Sequence, residues 1–245
     1  MKIYPVLDLL DGVVVRGVAG RRDEYRPVES RLVSGADPVT IARAFRDKFG
    51  LTGLYVADLD AILHQRPSLK LYRRLVDDGF DLLVDAGVRS FEQAAAVFAA
   101  GASAVIAGLE TSAGPDQLRQ LCGEFGSTRI IFSLDMQSGK PLGNLAAWPA
   151  ANPYEIAAIA MRAGIERMIV LDLAQVGVGQ GVSTIALCRR LIDCNPSLEI
   201  ITGGGVRGPD DLAMLAKTGV AGVLIASALH DGRIDRADIK RWTSH

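Results

Sequence analysis

Apolar residues fall in eight short runs along the chain, separated by amphipathic stretches. The runs are IYPVLD from Ile3, GLYVADL from Gly53, DLLVDA from Asp81, SAVIAG from Ser103, RIIFSLD from Arg129, RMIVLDL from Arg167, LEIITGG from Leu198 and AGVLIAS from Ala221. Most are continuous rather than alternating, which is how parallel strands buried on both faces read. The intervening segments DPVTIARAFRDKFG, SFEQAAAVFAAG, NPYEIAAIAMRAG and GPDDLAMLAKTG carry helical spacing. They open on Asp37, Ser90, Asn152 or the Gly-Pro at Gly208, and glycine marks their ends.

Eight βα units in 245 residues predict an α/β fold, a (β/α)8 TIM barrel forming one domain over residues 1–245. A doubly wound open sheet is the alternative, but no GxGxxG follows the first strand. An internal repeat favours the barrel. VDAGVRS at Val84 returns as TGGGVRG at Thr202, 118 residues later, LDLLDG at Leu7 as LDMQSG at Leu134, and YVADL at Tyr55 as IVLDL at Ile169. Three successive units recur in order, so the chain divides into half-barrels near residues 1–125 and 126–245.

Composition narrows the functional classes. With 49% hydrophobic residues and a net charge of −1, nothing draws the chain to nucleic acid or a membrane surface. No run reaches the roughly 18 apolar residues needed to span a bilayer. Cys122, Cys188 and Cys194 form no CxxC pair, and the N-terminus acquires acids too early for a signal peptide, so a cytoplasmic protein is expected. His64, His230 and His245 lack metal-ligand spacing, and no metal is expected; His64 is a minor site candidate.

A barrel of this kind keeps its active site at the C-terminal ends of the strands. Asp8 closes strand 1 and Asp135 closes strand 5, opposite it in a ring of eight, so the pair can serve as general base and general acid. The bland alternative for either is an N-cap. Gly204 and Gly205 after strand 7, with Ala226 and Ser227 after strand 8, form the expected phosphate cradle; three consecutive glycines exceed what a tight turn needs. Loop 1 carries Arg16, Arg21, Arg22 and Arg26. Arg16 is a substrate-binding candidate, whereas Arg21 and Arg22 read as solvated. Trp148 reads equally as a lid that stacks on a flat ring and as a hydrophobic plug. Asp58 and Asp172 read as scaffold acids holding loop N–H groups.

PVLDLLDGVVVRG, VADLDA, DAGVRS, FSLD, TGGGVRG and LIASAL together resemble the histidine-biosynthesis barrels HisA and HisF, and HisA more closely, over essentially the whole chain. The resemblance implies a half-barrel repeat and a substrate with two phosphates, one per half. It implies an Amadori rearrangement of an aminoaldose to an aminoketose, with Asp8 moving the C2 proton and Asp135 opening the ribose ring. It implies neither an organic cofactor nor a metal, and a small phosphorylated substrate handled by a monomer.

The sequence also departs from that pattern. Leu171, Val176 and Val178 stand where the family's strand 6 loop carries polar residues, in the loop that also holds Gly177. Asp85 and Glu110, with Gly87 and Gly108 beside them, flank what should be the first phosphate site. Two carboxylates there would repel a dianion. Arg16, Asp85, Gly87, Gly108, Glu110, Trp148 and Gly177 are therefore the substrate-contact candidates outside the cradle. The expected function is HisA-like isomerisation of a phosphorylated sugar-type substrate with one phosphate site kept and one altered. The alternatives are authentic HisA, a HisF-like cyclase, and a HisA-derived phosphate-ligand binding or partner protein. The long basic loop 1 associates the chain with a branch linked to methanopterin-type one-carbon metabolism.

Overall fold

The computed structural model describes residues 1–243. All eight apolar runs become parallel strands: β1 Lys2–Leu10, β2 Gly53–Asp58, β3 Asp81–Asp85, β4 Ala104–Gly108, β5 Ile130–Gln137, β6 Arg167–Asp172, β7 Glu199–Gly203 and β8 Gly222–Ile225. Neighbours pair in chain order, and β8 returns to β1 with Lys2 opposite Gly222 and Pro5 opposite Ile225. The sheet is thus a closed barrel, the (β/α)8 fold expected from the sequence. Residues 1–125 supply β1–β4 and residues 126–243 supply β5–β8.

The four predicted helices form as α1 Pro38–Phe49, α4 Phe91–Ala99, α6 Pro153–Arg162 and α8 Pro209–Thr218. Asp37, Ser90 and Asn152 accept the backbone N–H three residues on, as N-caps should. The remaining helices are α2 Leu59–His64, α3 Leu69–Asp77, α5 Pro115–Phe125, α7 Ile185–Cys194, the single turn α9 Ser227–His230, and α10 Arg236–Thr243. Among the described residues no helix is long and apolar enough to cross a membrane.

The period of two along a strand decides which residues can meet a substrate. Tyr4, Tyr55, Ala57, Leu83, Ala104, Ile106, Ile131, Ile169, Ile201 and Leu224 fill the barrel interior. Their strand neighbours, such as Leu7, Leu54, Leu82, Phe132 and Val170, face the helices. Both faces are buried, so the runs are continuously apolar. Counting two residues up from the interior layer reaches Asp85 from Leu83, Leu171 from Ile169 and Asp8 from Val6. Asp58 and Asp172 have the opposite parity, following Val56 and Val170 on the outer face.

Each half opens with a hairpin. After β1, the Asp11-Gly12 turn, with both residues at positive φ, sends Val13–Arg16 back along β1. After β5, Ser138-Gly139 does the same for Lys140–Pro141. Two-residue turns with φ above zero match the twist of paired strands, so the LDLLDG and LDMQSG repeats encode the same local device.

Candidate active site

The C-terminal mouth of the barrel holds a cavity of about 930 Å3, counting the solvent at its opening. Asp8, Asp85 and Asp135 line it together with Glu110, Gly177, Gly204, Gly205, Ala226 and Ser227. Nine of the thirteen expected site residues thus converge on one space. Val6, Leu171, Leu173, Val176 and Leu224 supply apolar walls. Of the three apolar replacements in the strand 6 loop, Leu171 and Val176 face the cavity, while Val178 does not line it and is 39% exposed.

Three inward carboxylates share this apolar space, and the cost of charging them shows in their acidity. Burial, then the neighbouring charge of Asp85, pushes Asp8 up to about 7. Burial and Asp85 likewise push Asp135 to about 7, although Ser133 Oγ donates to it at 2.8 Å and opposes the shift. Asp85 itself rises to about 6 through burial, against the pull of the Gly87 N–H that donates to Oδ1 at 3.0 Å. Asp8 and Asp135 are therefore each poised between proton donor and acceptor near neutral pH.

Two tyrosines and one arginine join this group, and sequence reasoning did not assign them to it. Tyr55, one layer below the carboxylates, donates to Asp85 Oδ2 at 3.3 Å. Burial, then the charges of Asp85, Asp135 and Asp8, raise its phenol well above the ordinary value, so it remains a neutral donor. Tyr25 lines the same cavity, its phenol pushed to about 12 by burial and by Asp8. Tyr55 hides in an apolar strand run, where period-two counting from Ala57 is the only signal. Arg22, expected to be solvated, instead grips Glu110 with both guanidinium arms, at 2.9 and 2.6 Å. Loop closure half-buries both partners, and the planar guanidinium fork matches a carboxylate with two parallel hydrogen bonds.

Loop 1 roofs the cavity by crossing to the loop after β6. Ala19 N donates to Val176 O at 2.8 Å. Gly177, at φ +71°, lies so close to Gly17 that a Cβ would sit 2.0 Å from the Gly17 carbonyl oxygen. Only glycine allows that approach.

Four expected site residues lie elsewhere. Arg16 lines an adjoining cavity, which shares Asp8 and Ser227, and holds Asp231 with two hydrogen bonds of 2.8 Å. Trp148 is buried against Phe132, ring centroids 5.3 Å apart, on the helix-facing side of β5, and so does not line the cavity. The indole stays there because Phe132 has outward parity and offers a large apolar surface. Gly87 shapes the loop: its φ is +58° and a Cβ would lie 2.7 Å from Ile62 Cα. Gly108 leaves room for Asp135, whose Oδ2 would be 3.5 Å from a Cβ there.

The outer-face acids anchor loops. Asp58 accepts from Ala61 N, Ser68 N and the Tyr72 hydroxyl. Asp172 accepts from Ser138 N, Gly139 N and Ala174 N, fixing the second hairpin. His64 is exposed at the end of α2. His230 is buried against Phe45 with Nδ1 2.9 Å from Ser30 Oγ, and burial lowers its pKa to about 4. His245 lies outside the described residues. Among those residues no group of three or more His, Cys, Asp or Glu is arranged to hold a metal ion.

Fold and cavity together define a (β/α)8 barrel with Asp8, Asp85 and Asp135 gathered at its C-terminal mouth. The model of the family described as histidine biosynthesis protein matches residues 2–235, and the chain belongs to that family. It is 30% identical over 243 residues to an uncharacterized protein of Methanocaldococcus jannaschii, covering 98% of this chain and 97% of that one. It is 31% identical over 251 residues to the phosphoribosyl imidazole-4-carboxamide isomerase of Syntrophomonas wolfei, covering 98% of each. The isomerase of the same name from Methanosarcina mazei is 30% identical over 243 residues, covering 95% of this chain and 93% of its own. The full name of these isomerases contains two phosphoribosyl groups.

Proposed function

We propose that the chain is a HisA-like isomerase that carries out an aldose–ketose rearrangement of the Amadori type on a sugar-type substrate bearing one phosphate. The observation that carries this reading is the placement of Asp8 and Asp135 on opposite strands of one cavity, each with a pKa of about 7. In this reading Asp135 protonates the sugar ring oxygen as the ring opens, and Asp8 moves the C2 proton. Each step needs a group that is partly protonated at working pH, and apolar walls with a neighbouring carboxylate supply that condition.

The single phosphate sits on Gly204, Gly205, Ala226 and Ser227. These residues line the cavity together, with no acid among them. The other half-site is altered. There Asp85 takes up the Gly87 N–H, and Glu110 takes up Arg22. A dianion entering that end would face Asp85 in an apolar setting. The distal group of the substrate is instead a hydrogen-bond donor such as an amine or hydroxyl. The chain works as a monomer on a small molecule.

A second reading, the histidine-pathway isomerase itself, is favoured by the 31% identity to a protein so named. Leu171 and Val176 on the cavity wall weigh against it, because neither can hold a proton or orient a water. Expression in a histidine auxotroph lacking that isomerase separates the two: growth at a normal rate contradicts departure from the pathway. For the chemistry, Asp8→Asn and Asp135→Asn should each lower turnover at least about 100-fold while the cooperative fold is kept. Full activity in either removes its assigned role.

A further inference from the structure

The second-half cradle has a guanidinium behind it. Arg233 lies between α9 and α10. Its Nη1 donates to the carbonyl oxygens of Val206 at 3.3 Å and Arg207 at 3.0 Å, just past the glycine run. Its Nη2 donates to Ser227 Oγ at 3.0 Å and Asp231 Oδ2 at 3.2 Å. One planar group therefore ties the loop after β7 to the segment after β8. Asp231 is gripped from the other side by Arg16, and these hydrogen bonds hold its carboxyl below the usual range. The chain of contacts Arg16, Asp231, Arg233 and Ser227 runs from the hairpin after β1 to the cradle.

We infer that Arg233 is a positioning residue for phosphate recognition, fixing the Ser227 hydroxyl as a hydrogen-bond donor to a phosphate oxygen. The inference rests on the reading of Gly204, Gly205, Ala226 and Ser227 as the phosphate site. A serine hydroxyl has one proton and two lone pairs, and an arginine only donates. With one lone pair engaged by Nη2, the hydroxyl proton must point away from Arg233. Among the described residues Ser227 Oγ donates to no protein acceptor; its one side-chain hydrogen bond is the one it accepts from Arg233. The proton is left for the cavity, which Ser227 lines. Asp231 would offset the positive charge, but Arg16 pairs with it. Arg233 thus keeps a cation one hydrogen bond behind the anion, and charge-assisted bonds strengthen one another along such a chain.

The test is calorimetric titration with inorganic phosphate of the wild-type chain, Arg233→Gln, Arg233→Lys, Ser227→Ala and the Ser227→Ala/Arg233→Gln double variant. The wild type should bind one phosphate per chain. Arg233→Gln and Ser227→Ala should each weaken binding about tenfold. The double variant should be little weaker than either single, because Arg233 acts through Ser227. Arg233→Lys should fall between, since an ammonium cannot span both loops as a planar fork does. Melting curves accompany each variant, and if Arg233→Gln does not fold, Arg233→Lys carries the comparison. Wild-type affinity in the Arg233 variants overturns the inference, as do single effects that multiply in the double variant. Absence of phosphate binding by the wild type overturns the cradle reading itself, a separate result.

Discussion

Asp85 Oδ1 accepts the backbone N–H of Gly87 at 3.0 Å. In the other half-barrel the same two positions are Gly203 and Gly205, so no side chain there can reach the corresponding N–H. A glycine is needed at Gly203, because a Cβ would lie 2.6 Å from the Leu224 carbonyl oxygen. One copy of the repeat therefore satisfies its loop N–H internally with a carboxylate, and the other has no side chain at that position to do so.

Burial is the main cause of the raised pKa of Asp8 and Asp135, and the charge of Asp85 adds to it in both. In Asp85→Asn the repulsion is gone, and both carboxyls should titrate below the value of about 7 they have in the wild type. Carbon-detected NMR titration of the aspartate side chains reads this directly. Unchanged midpoints would show that burial alone sets them.

The same carboxyls make stability depend on pH. Asp8 and Asp135 are raised from an ordinary 3.8 to about 7, so each binds its proton more tightly folded than unfolded. Their contribution is fully present below about pH 4 and is lost as pH rises towards 7. Asp8→Asn or Asp135→Asn should therefore melt higher than the wild type at pH 8, by on the order of 5 °C. The gap should shrink as the pH is lowered towards 4. A gap that does not change with pH, or a lower melting temperature at pH 8, contradicts the assigned shifts.

Tyr55→Phe keeps the buried ring and deletes the donor to Asp85. Melting should stay near that of the wild type while turnover falls about tenfold, the usual cost of one hydrogen bond to a charged group. Unaffected turnover would make Tyr55 a packing residue only.

Gly177→Ala places a methyl where the Gly17 carbonyl stands, at a backbone angle that alanine resists. The roof formed by loop 1 should lift, exposing its arginines to trypsin and lowering kcat/KM about tenfold. Unaltered cleavage and kinetics would mean that the contact between the two loops is dispensable.

Much of this was legible in the sequence because it depends on local rules. Strand runs, caps and the parity of strand-ending acids follow from periods of two and 3.6, and they separate Asp8 and Asp135 from Asp58 and Asp172. Pairing between distant loops does not follow from such rules. Arg16 meets Asp231 215 residues away, and Arg22 meets Glu110 88 residues away. Both partners are set by barrel closure, so the local sequence around Arg16 and Arg22 shows neither pairing. Trp148 gave no sign of which side of β5 it would cover. Tyr55 stands within an apolar strand run and Arg233 in the connection between two helices, and neither carries a local signal of its partner.

The most direct measurement is the electron density of crystals grown with phosphate or sulfate and refined for bound anions. One anion at Ser227 and the Gly204–Gly205 backbone, with none beside Asp85, is the expected result. Anions at both half-sites, or one beside Asp85 alone, would contradict a substrate held by a single phosphate.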